Sequence, residues 1–384
     1  MIEAFSAFAL SVLMGWVILY FRRHHERLTG DTNDGGPQKI HSVPVPRIGG
    51  VMIFIGFGGG VAYACLSARL EWTQGALIVL CSLPAFAGGF FEDITKHGGV
   101  LVRLFATFLA AGLAFWLLGA RLDRLDFPAA DPWLALAPVS LVFTMFAAGG
   151  VSQSINIIDG LNGLAVFVCF VILAAMGYVA WRVGDPLVLS ICLAACGAIL
   201  GFFVWNFPRG RIFCGDGGAY FIGFIVAEVS VLLVHRQARV SAWFPLLLAA
   251  YPVWETLFSI YRRRLLSRRA AMRPDALHLH SLVYRWITCL SSRHGGSPPP
   301  AWRRNALSSA LCWVLPLASA AIALRYWNET WMLAMGALGF AVVYVLIYRS
   351  LSSVANWRRL QQRRRGRGRT ARLLADLSGP RAAP

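Results

Sequence analysis

Apolar runs as long as a membrane-crossing helix recur along the whole chain. A hydrocarbon core about 30 Å thick needs about 20 consecutive apolar residues per helical crossing. Hydrophobic residues make up 57% of the 384 residues and charged residues 14%, whereas a soluble domain carries about 25% charged residues. The chain is therefore predicted to be an all-α, polytopic transmembrane bundle. Its eleven spans are placed at about 2–21, 48–68, 74–91, 100–119, 132–149, 163–181, 186–206, 217–235, 240–261, 307–325 and 329–349.

Positive charge is concentrated in alternate connections between these runs. Of the 36 Lys and Arg residues, 29 lie in or beside the segments 22–47, 92–99, 150–162, 207–216, 262–306 and the tail after 349. Basic residues collect on the cytoplasmic side of a membrane. The bias predicts a periplasmic N-terminus and a cytoplasmic C-terminus. It also accounts for the formal charge of +18, and since no aromatic-basic module accompanies that charge, no nucleic-acid partner is expected.

The domain organisation follows from the same pattern. Residues 1–350 are predicted to form one transmembrane domain with cytoplasmic loops, and residues 351–384 a basic, disordered cytoplasmic tail. A basic tail of this kind favours contact with anionic membrane lipids. The eight cysteines show no spacing typical of a disulfide framework or a zinc site.

Five polar clusters fall on the predicted cytoplasmic side, and the first two border early spans. Lys39 and Arg47 lie in a proline-stiffened loop that could bind phosphate, although flanking positive charge alone would explain both. Glu92 and Asp93 are adjacent at the end of a span. Adjacent carboxylates at a membrane boundary repel each other unless a cation compensates them, and Mg²⁺ beside a diphosphate suits them well. A solvated helix end is the plainer interpretation.

The third cluster contains Asn156, Asp159 and Asn162, with glycines at 160 and 163. Asn156 and Asp159 are three residues apart and would share one face of a helix. The glycines allow the backbone to approach a ligand.

The fourth cluster begins at Asn206 and continues with Phe213, Gly215 and Asp216 at the start of a span. Backbone N–H groups at a helix N-terminus favour anions. Asp216 is a candidate metal ligand, and Phe213 could stack on a nucleobase. Each of these two clusters is weak evidence by itself.

The fifth cluster is the pair His278 and His280 in the longest predicted cytoplasmic loop. Zinc ligation is disfavoured because no nearby Cys or further His completes a tetrahedral set. Partly charged imidazoles that donate to a diphosphate fit the pattern better.

Read in order, these motifs resemble a known family. The segments HSVPVPRIGG, GFFED, NIIDGLNGL, NFP, FCGDGG and DALHLH are similar to those of the polyprenyl-phosphate N-acetylhexosamine-1-phosphate transferases, glycosyltransferase family 4. The resemblance covers about residues 31–285. The HxH form looks more like the O-antigen and teichoic-acid initiating branch than like the peptidoglycan translocase, whose histidines are consecutive.

The resemblance implies a reaction and a set of site residues. The expected reaction is transfer of a sugar-1-phosphate from a UDP-N-acetylhexosamine to undecaprenyl phosphate with release of UMP. The expected cofactor is Mg²⁺, with Mn²⁺ as a substitute, held by Asp216, Asp93 and Asp159. Catalytic roles are expected for Glu92, Asp93, Asp159, Asp216, His278 and His280. Substrate contacts are expected for Lys39, Arg47, Asn156, Asn162, Asn206, Phe213 and Gly215.

Three positions depart from the usual family pattern. Glu92 stands at the first acid of an Asp pair, Asn162 at a frequent Asp, and Ser281 at a frequent third His. These departures leave open a catalytically silent member of a glycan assembly complex, and a lipid-linked substrate transporter is a further alternative. The sequence determines neither the sugar nor the oligomeric state, and a homodimer stays open.

Overall fold

The computed structural model describes residues 1–29, 45–96, 99–266, 277–291 and 299–377. These residues form helices and connecting turns, with no strand among them. In chain order the helices are α1 Ile2–Tyr20, α2 Arg22–Thr29, α3 Gly49–Leu66, α4 Trp72–Thr95, α5 Val100–Leu117, α6 Asp131–Leu134, α7 Ala137–Ile158, α8 Leu164–Val183, α9 Pro186–Asn206, α10 Gly215–Arg236, α11 Trp243–Leu248, α12 Ala250–Tyr261, α13 Leu279–Ser291, α14 Ala301–Cys312, α15 Val314–Arg325 and α16 Thr330–Leu377. A π-helical turn, Arg262–Leu266, follows α12.

The chain is a multi-pass membrane protein, as its composition predicts. Within the described ranges there are ten stretches long and apolar enough to cross a bilayer: nine of these helices, and α14 with α15 taken together as Ala301–Arg325. They correspond to ten of the eleven predicted spans. The remaining predicted span, 240–261, is divided into α11 and α12, neither of which reaches the length of a crossing by itself.

The divided pair still carries the chain from one end of the bundle to the other. Arg236 at the end of α10 lies at the end opposite to Asp216, which begins that helix. Beyond α12, His280 packs against Gly160, which follows α7 at the Asp216 end. The segment 243–261 therefore spans the bundle, and the expected alternation of ends is kept.

Helix α10 is the centre of the bundle. Of the 18 residues that form its membrane-spanning stretch, 94% are buried. The corresponding stretches of α1 and α16 are 28% and 17% buried. Close packing around α10 depends on glycine at two contacts. A Cβ on Gly50 would lie 2.3 Å from the Gly218 nitrogen, and one on Gly89 would lie 2.4 Å from the Asp216 carbonyl oxygen. The starts of α3 and α10 and the end of α4 are consequently in backbone contact.

The end of the bundle away from Asp216 is fastened by Asp126. Its carboxylate accepts the Ala242 N–H at 2.7 Å and the Ser241 hydroxyl at 2.9 Å, and it pairs with Arg124. These donors outweigh partial burial and hold the pKa of Asp126 below its usual value. The loop before α6 is thereby joined to the start of α11.

Helix α16 runs from Thr330 to Leu377 and so includes residues on both sides of position 350. The division into domains at this position stays a prediction. The disordered tail at 351–384 stays a prediction.

Candidate active site

Asp93 holds the first turn of α10. Its carboxylate oxygens accept the N–H groups of Asp216 and Gly217, each at 2.8 Å, and its residue is 4% exposed. The carboxylate therefore satisfies two of the N–H groups that a helix N-terminus leaves without partners. Gly215 has φ +74, and a Cβ there would lie 2.1 Å from the Arg47 carbonyl oxygen. Glycine is required at this turn by both its backbone angle and its neighbours.

Two arginines from outside α10, one in the connection before α3 and one in α5, surround Asp216. Arg103, in the first turn of α5, places Nη1 2.5 Å from Asp216 Oδ2. Arg47 Nη2 lies 3.8 Å from the same oxygen and 4.0 Å from Asp93 Oδ1. The Arg103 guanidinium also lies over the ring of Tyr220, 5.4 Å from its centroid. Two acids, Asp93 and Asp216, and two arginines, Arg47 and Arg103, thus form a cluster around the first turn of α10.

Asp159 comes immediately after α7, at the same end of the bundle. Burial and the nearby Asp216 carboxylate raise the pKa of Asp159 to about 7, and Arg47 opposes this shift. Near neutral pH this carboxyl is therefore divided between its two protonation states. A cation bound close to it would favour the charged form.

The loop after Asp159 is held by amide side chains. The Asn162 N–H donates to Asn305 Oδ1 at 2.9 Å, and its Nδ2 donates to the Pro208 carbonyl at 3.2 Å. Asn206 Oδ1 accepts the Gly163 N–H at 2.5 Å, and its Nδ2 donates to the Ile212 carbonyl at 2.8 Å. The third and fourth sequence clusters therefore form one hydrogen-bonded structure.

The histidine pair lies beside this structure at the start of α13. Both residues are buried, and their rings are parallel within 2°, with centroids 5.5 Å apart. A Cβ on Gly160 would lie 2.4 Å from His280 Nε2, so this ring rests on the glycine. Burial and the neighbouring His278 lower the pKa of His280 to about 4, against a weaker opposing effect of Glu255. His280 is therefore neutral at pH 7, which differs from the expectation of two partly charged donors.

Known proteins with similar sequences support the sequence resemblance. Residues 76–234 match the sequence model of glycosyl transferase family 4. The chain is 28% identical over 286 residues to a probable undecaprenyl-phosphate N-acetylglucosaminyl 1-phosphate transferase of Bacillus subtilis (strain 168), covering 73% of this chain and 77% of the relative. It is 26% identical over 373 residues to the undecaprenyl-phosphate alpha-N-acetylglucosaminyl 1-phosphate transferase of Escherichia coli O157:H7, covering 93% and 95%. A third relative is the decaprenyl-phosphate N-acetylglucosaminephosphotransferase of Mycobacterium tuberculosis (strain CDC 1551 / Oshkosh), 27% identical over 270 residues, covering 63% and 66%.

Over residues 76–234 the chain is similar to glycosyl transferase family 4.

The structure gathers most of the predicted site residues at one end of the bundle. Asp93, Asp216, Arg47 and Gly215 form the cluster at the start of α10. Asp159, Asn162, Asn206, His278 and His280 belong to the adjoining loop structure.

Four further predicted site residues are not part of these two groups. Phe213 is half-buried and its backbone joins two neighbours, its N–H donating to Pro46 O and its carbonyl accepting from Gly49 N, both at 2.9 Å. Glu92 and Asn156 are both partly buried. Lys39 lies outside the described residues.

Asn162 and Asn206, which were predicted as substrate contacts, also hold neighbouring loops together, and the motifs did not reveal this. Both ends of the Asn206 side chain and the Asn162 side-chain amide are bonded to backbone groups of neighbouring loops. Their contact with substrate stays a prediction.

The donor chemistry of the cluster fits a hard divalent cation. Asp159 and Asp216 offer carboxylate oxygens, the ligands that Mg²⁺ prefers. Each Asp93 oxygen accepts one N–H group and keeps a second acceptor site, so that metal ligation by Asp93 stays a prediction. Among the described residues no group of three or more His, Cys, Asp or Glu side chains converges as a preformed metal site, as expected where substrate phosphates supply part of the coordination.

Sequence reasoning missed the charged residues Arg103 and Glu255. It also missed Tyr344 and Asn305, whose side chains form hydrogen bonds with Glu255 and Asn162. Arg103 and Glu255 are single charges at the edge of or inside apolar runs, a signal that usually marks function. Tyr344 and Asn305 come from the last helices and gave no local signal. Their contacts with Glu255 and Asn162 are made at sequence separations of 89 and 143 residues.

Proposed function

We propose that this chain transfers an N-acetylhexosamine-1-phosphate from a UDP-sugar to undecaprenyl phosphate, which initiates a cell-surface glycan such as O-antigen. The observation that carries the proposal is the meeting of Asp216, Arg103 and Arg47 at the buried start of α10, beside Asp159. Carboxylates and guanidinium groups in one cluster can bind a cation and a diphosphate together. The relatives named above, which are prenyl-phosphate transferases, support the choice of reaction.

The reaction is a phosphoryl-type transfer. An oxygen of the lipid phosphate attacks the sugar-bearing β-phosphorus, and a new P–O bond forms. The bond from the β-phosphorus to the bridging oxygen breaks, and its electron pair leaves with UMP. The lipid phosphate is largely ionised at neutral pH, since its second pKa is about 6. No protein base is therefore required for the attack.

The residues of this chain contribute position and charge. Arg47 and Arg103 neutralise the diphosphate and the departing UMP. The imidazole of His278 donates to a phosphate oxygen. Asp93 keeps the first turn of α10 in place, so that Asp216 points at the diphosphate.

Asp216 and Asp159 are proposed to hold Mg²⁺, or Mn²⁺ in its place. When bound, the cation would offset negative charge on the diphosphate oxygens. Asp93 is proposed as a third ligand, because each of its oxygens accepts one backbone N–H group and keeps a second acceptor site.

The site is proposed to face the cytoplasm from the bacterial inner membrane. The distribution of Lys and Arg supports this orientation. Soluble UDP-sugar and a membrane-anchored phosphate would then meet at the membrane surface. Anionic lipids would bind the basic tail.

The proposal is tested by UMP release from purified full-length protein. The assay supplies undecaprenyl phosphate, Mg²⁺ and a panel of UDP-N-acetylhexosamines, with and without EDTA. We expect UMP with at least one sugar, its loss with EDTA, recovery with Mg²⁺ or Mn²⁺, and at least a hundredfold lower rate for Asp216→Asn, as expected when about 3 kcal/mol of charge stabilisation is removed.

A transporter would release no UMP at all, and a silent family member would bind nucleotide without turnover. Either result, obtained beside an active relative under the same conditions, would contradict the proposal.

A further inference from the structure

A line of buried side chains connects the last helix to the histidine pair. The Tyr344 hydroxyl of α16 donates to Glu255 Oε2 at 2.8 Å. His278 Nδ1 lies 2.9 Å from Glu255 Oε1. Tyr344 is 0% exposed, Glu255 1% and His278 6%. Three elements distant in sequence, α16, α12 and the start of α13, therefore meet at one carboxylate.

Glu255 also fixes the backbone at the start of α13. The Leu279 N–H donates to both carboxylate oxygens, each at 3.2 Å. A carboxylate at a helix N-terminus satisfies an N–H group without an intrahelical partner and interacts favourably with the helix dipole. One side chain thus sets both the main chain and the imidazole of the HxH segment.

The surroundings of His278 Nδ1 determine where its proton lies. The Ser259 hydroxyl is 3.3 Å from this nitrogen and itself accepts from Arg262 at 3.2 Å. Of the two oxygens that Nδ1 faces, the Glu255 carboxylate can only accept, whereas the Ser259 hydroxyl can accept or donate. A carboxylate beside one imidazole nitrogen selects the tautomer with the proton on that nitrogen and stabilises the imidazolium. Nε2 is then the nitrogen available to a substrate.

We propose that Glu255 and Tyr344 are positioning residues that hold the His278 ring through its Nδ1–H and stabilise its imidazolium form, so that Nε2–H can donate to a phosphate oxygen. The proposal rests on the proposed function, because the phosphate oxygen is that of the UDP-sugar diphosphate. Both residues lie outside the matched segment 76–234. Their role comes from the contacts of α12 and α16 alone.

A double-mutant cycle in the UMP-release assay tests whether Glu255 acts through His278. We expect Glu255→Gln to lower kcat by about 10- to 100-fold, since an amide cannot accept from Nδ1 and the other donors as a carboxylate does. KM for the UDP-sugar should change less than about threefold, because the residue does not touch substrate. In a His278→Gln background the same substitution should cost less than about threefold, since residues acting as one unit are not additive.

A full tenfold loss in the His278→Gln background would overturn the proposal, because it would mean that Glu255 acts by another route. Glu228→Gln is the matched control. Glu228 is a buried glutamate of α10, 3% exposed, with no contact to the histidines in the described residues. Its substitution should leave kcat within about twofold. Tyr344→Phe removes a single hydrogen bond and should lower kcat by about three- to tenfold.

A second measurement is independent of activity and of the assumed substrate. Nitrogen-15 NMR of histidine-labelled protein, with His278 assigned through His278→Gln, reports which ring nitrogen carries the proton. We expect a protonated Nδ1 in the wild type and loss of that signature in Glu255→Gln. A wild-type His278 with its only proton on Nε2 would overturn the proposal. A wild type that released no UMP would contradict the proposed function, and the NMR result would still decide the positioning.

Discussion

Arg103 Nη1 lies 2.5 Å from Asp216 Oδ2, so the acid proposed to hold a cation is already paired with an arginine from α5. A divalent cation must compete with this guanidinium for the carboxylate. Arg103 is also in place to meet the diphosphate once a cation has replaced it at Asp216. As a competitor for the Asp216 carboxylate, Arg103 should weaken cation binding. As a contact for the diphosphate, it should increase turnover.

Removal of Arg103 should therefore strengthen cation binding while it weakens catalysis. Arg103→Gln is expected to lower the Kd for Mn²⁺, measured by EPR on the purified protein, by about tenfold, since about 1.4 kcal/mol of competition is removed. The kcat for UMP release should fall. Arg47→Gln, whose guanidinium is 3.8 Å from Asp216, should shift the Mn²⁺ Kd less. Unchanged or weaker Mn²⁺ binding by Arg103→Gln would show that the guanidinium does not compete.

Asp93 should be needed for stability as well as for activity. Asp93→Ala leaves two buried N–H groups of α10 without their acceptor and is expected to cost about 1–3 kcal/mol. Thermal unfolding in detergent measures the loss. Asp123→Asn is the control, because Asp123 forms an exposed ion pair with His235 and such pairs contribute about 0–1 kcal/mol. Equal melting temperatures for the two variants would contradict the capping role.

Gly160→Ala should disturb the histidine pair without straining the backbone. The added methyl group would lie 2.4 Å from His280 Nε2, so the ring has to move. We expect about a tenfold lower kcat, since small misplacements near reacting groups are costly. Gly150→Ala is the control, because a Cβ at Gly150 meets nothing within 4 Å. Wild-type turnover by Gly160→Ala would show that the contact with His280 is dispensable.

The neutral state of His280 predicts a pH dependence of stability. Its pKa is lowered to about 4, below the value of about 6.5 for an exposed histidine. Between these values the unfolded chain binds more protons, so stability should fall as pH falls from about 6.5 to about 4. His280→Gln should flatten this part of the profile of melting temperature against pH. An unchanged slope in that variant would assign the effect to other groups.

Much of the site followed from sequence because its motifs are local. The acid at Asp93, the glycine at 215 and the acid at Asp216 were visible as short patterns at span ends. The family resemblance gave their order. The sequence did not show that Asp93 accepts hydrogen bonds from backbone N–H groups whereas Asp216 lies beside the arginines. These contacts depend on how α4 meets the first turn of α10.

The missed residues act through tertiary contacts. Glu255 lies in a predicted span that is divided into two helices, and its partners His278 and Tyr344 are 23 and 89 residues away. A single charge inside an apolar run marked the position, but no local pattern named its partners. Similarly, Pro245 and Pro252 did not reveal where the span at 240–261 would break.

The sheltered position of α10 has a consequence for how the protein responds to its bilayer. Only 17% of the membrane-spanning stretch of α16 is buried, so this outer helix contacts the acyl chains. Such a helix can tilt when the hydrophobic thickness of the bilayer changes. Helix α10, with 94% buried, is surrounded by protein and does not experience that mismatch directly. The position of Asp216 along the bundle is therefore set by neighbouring helices, so that the proposed site should keep its geometry in membranes of different thickness.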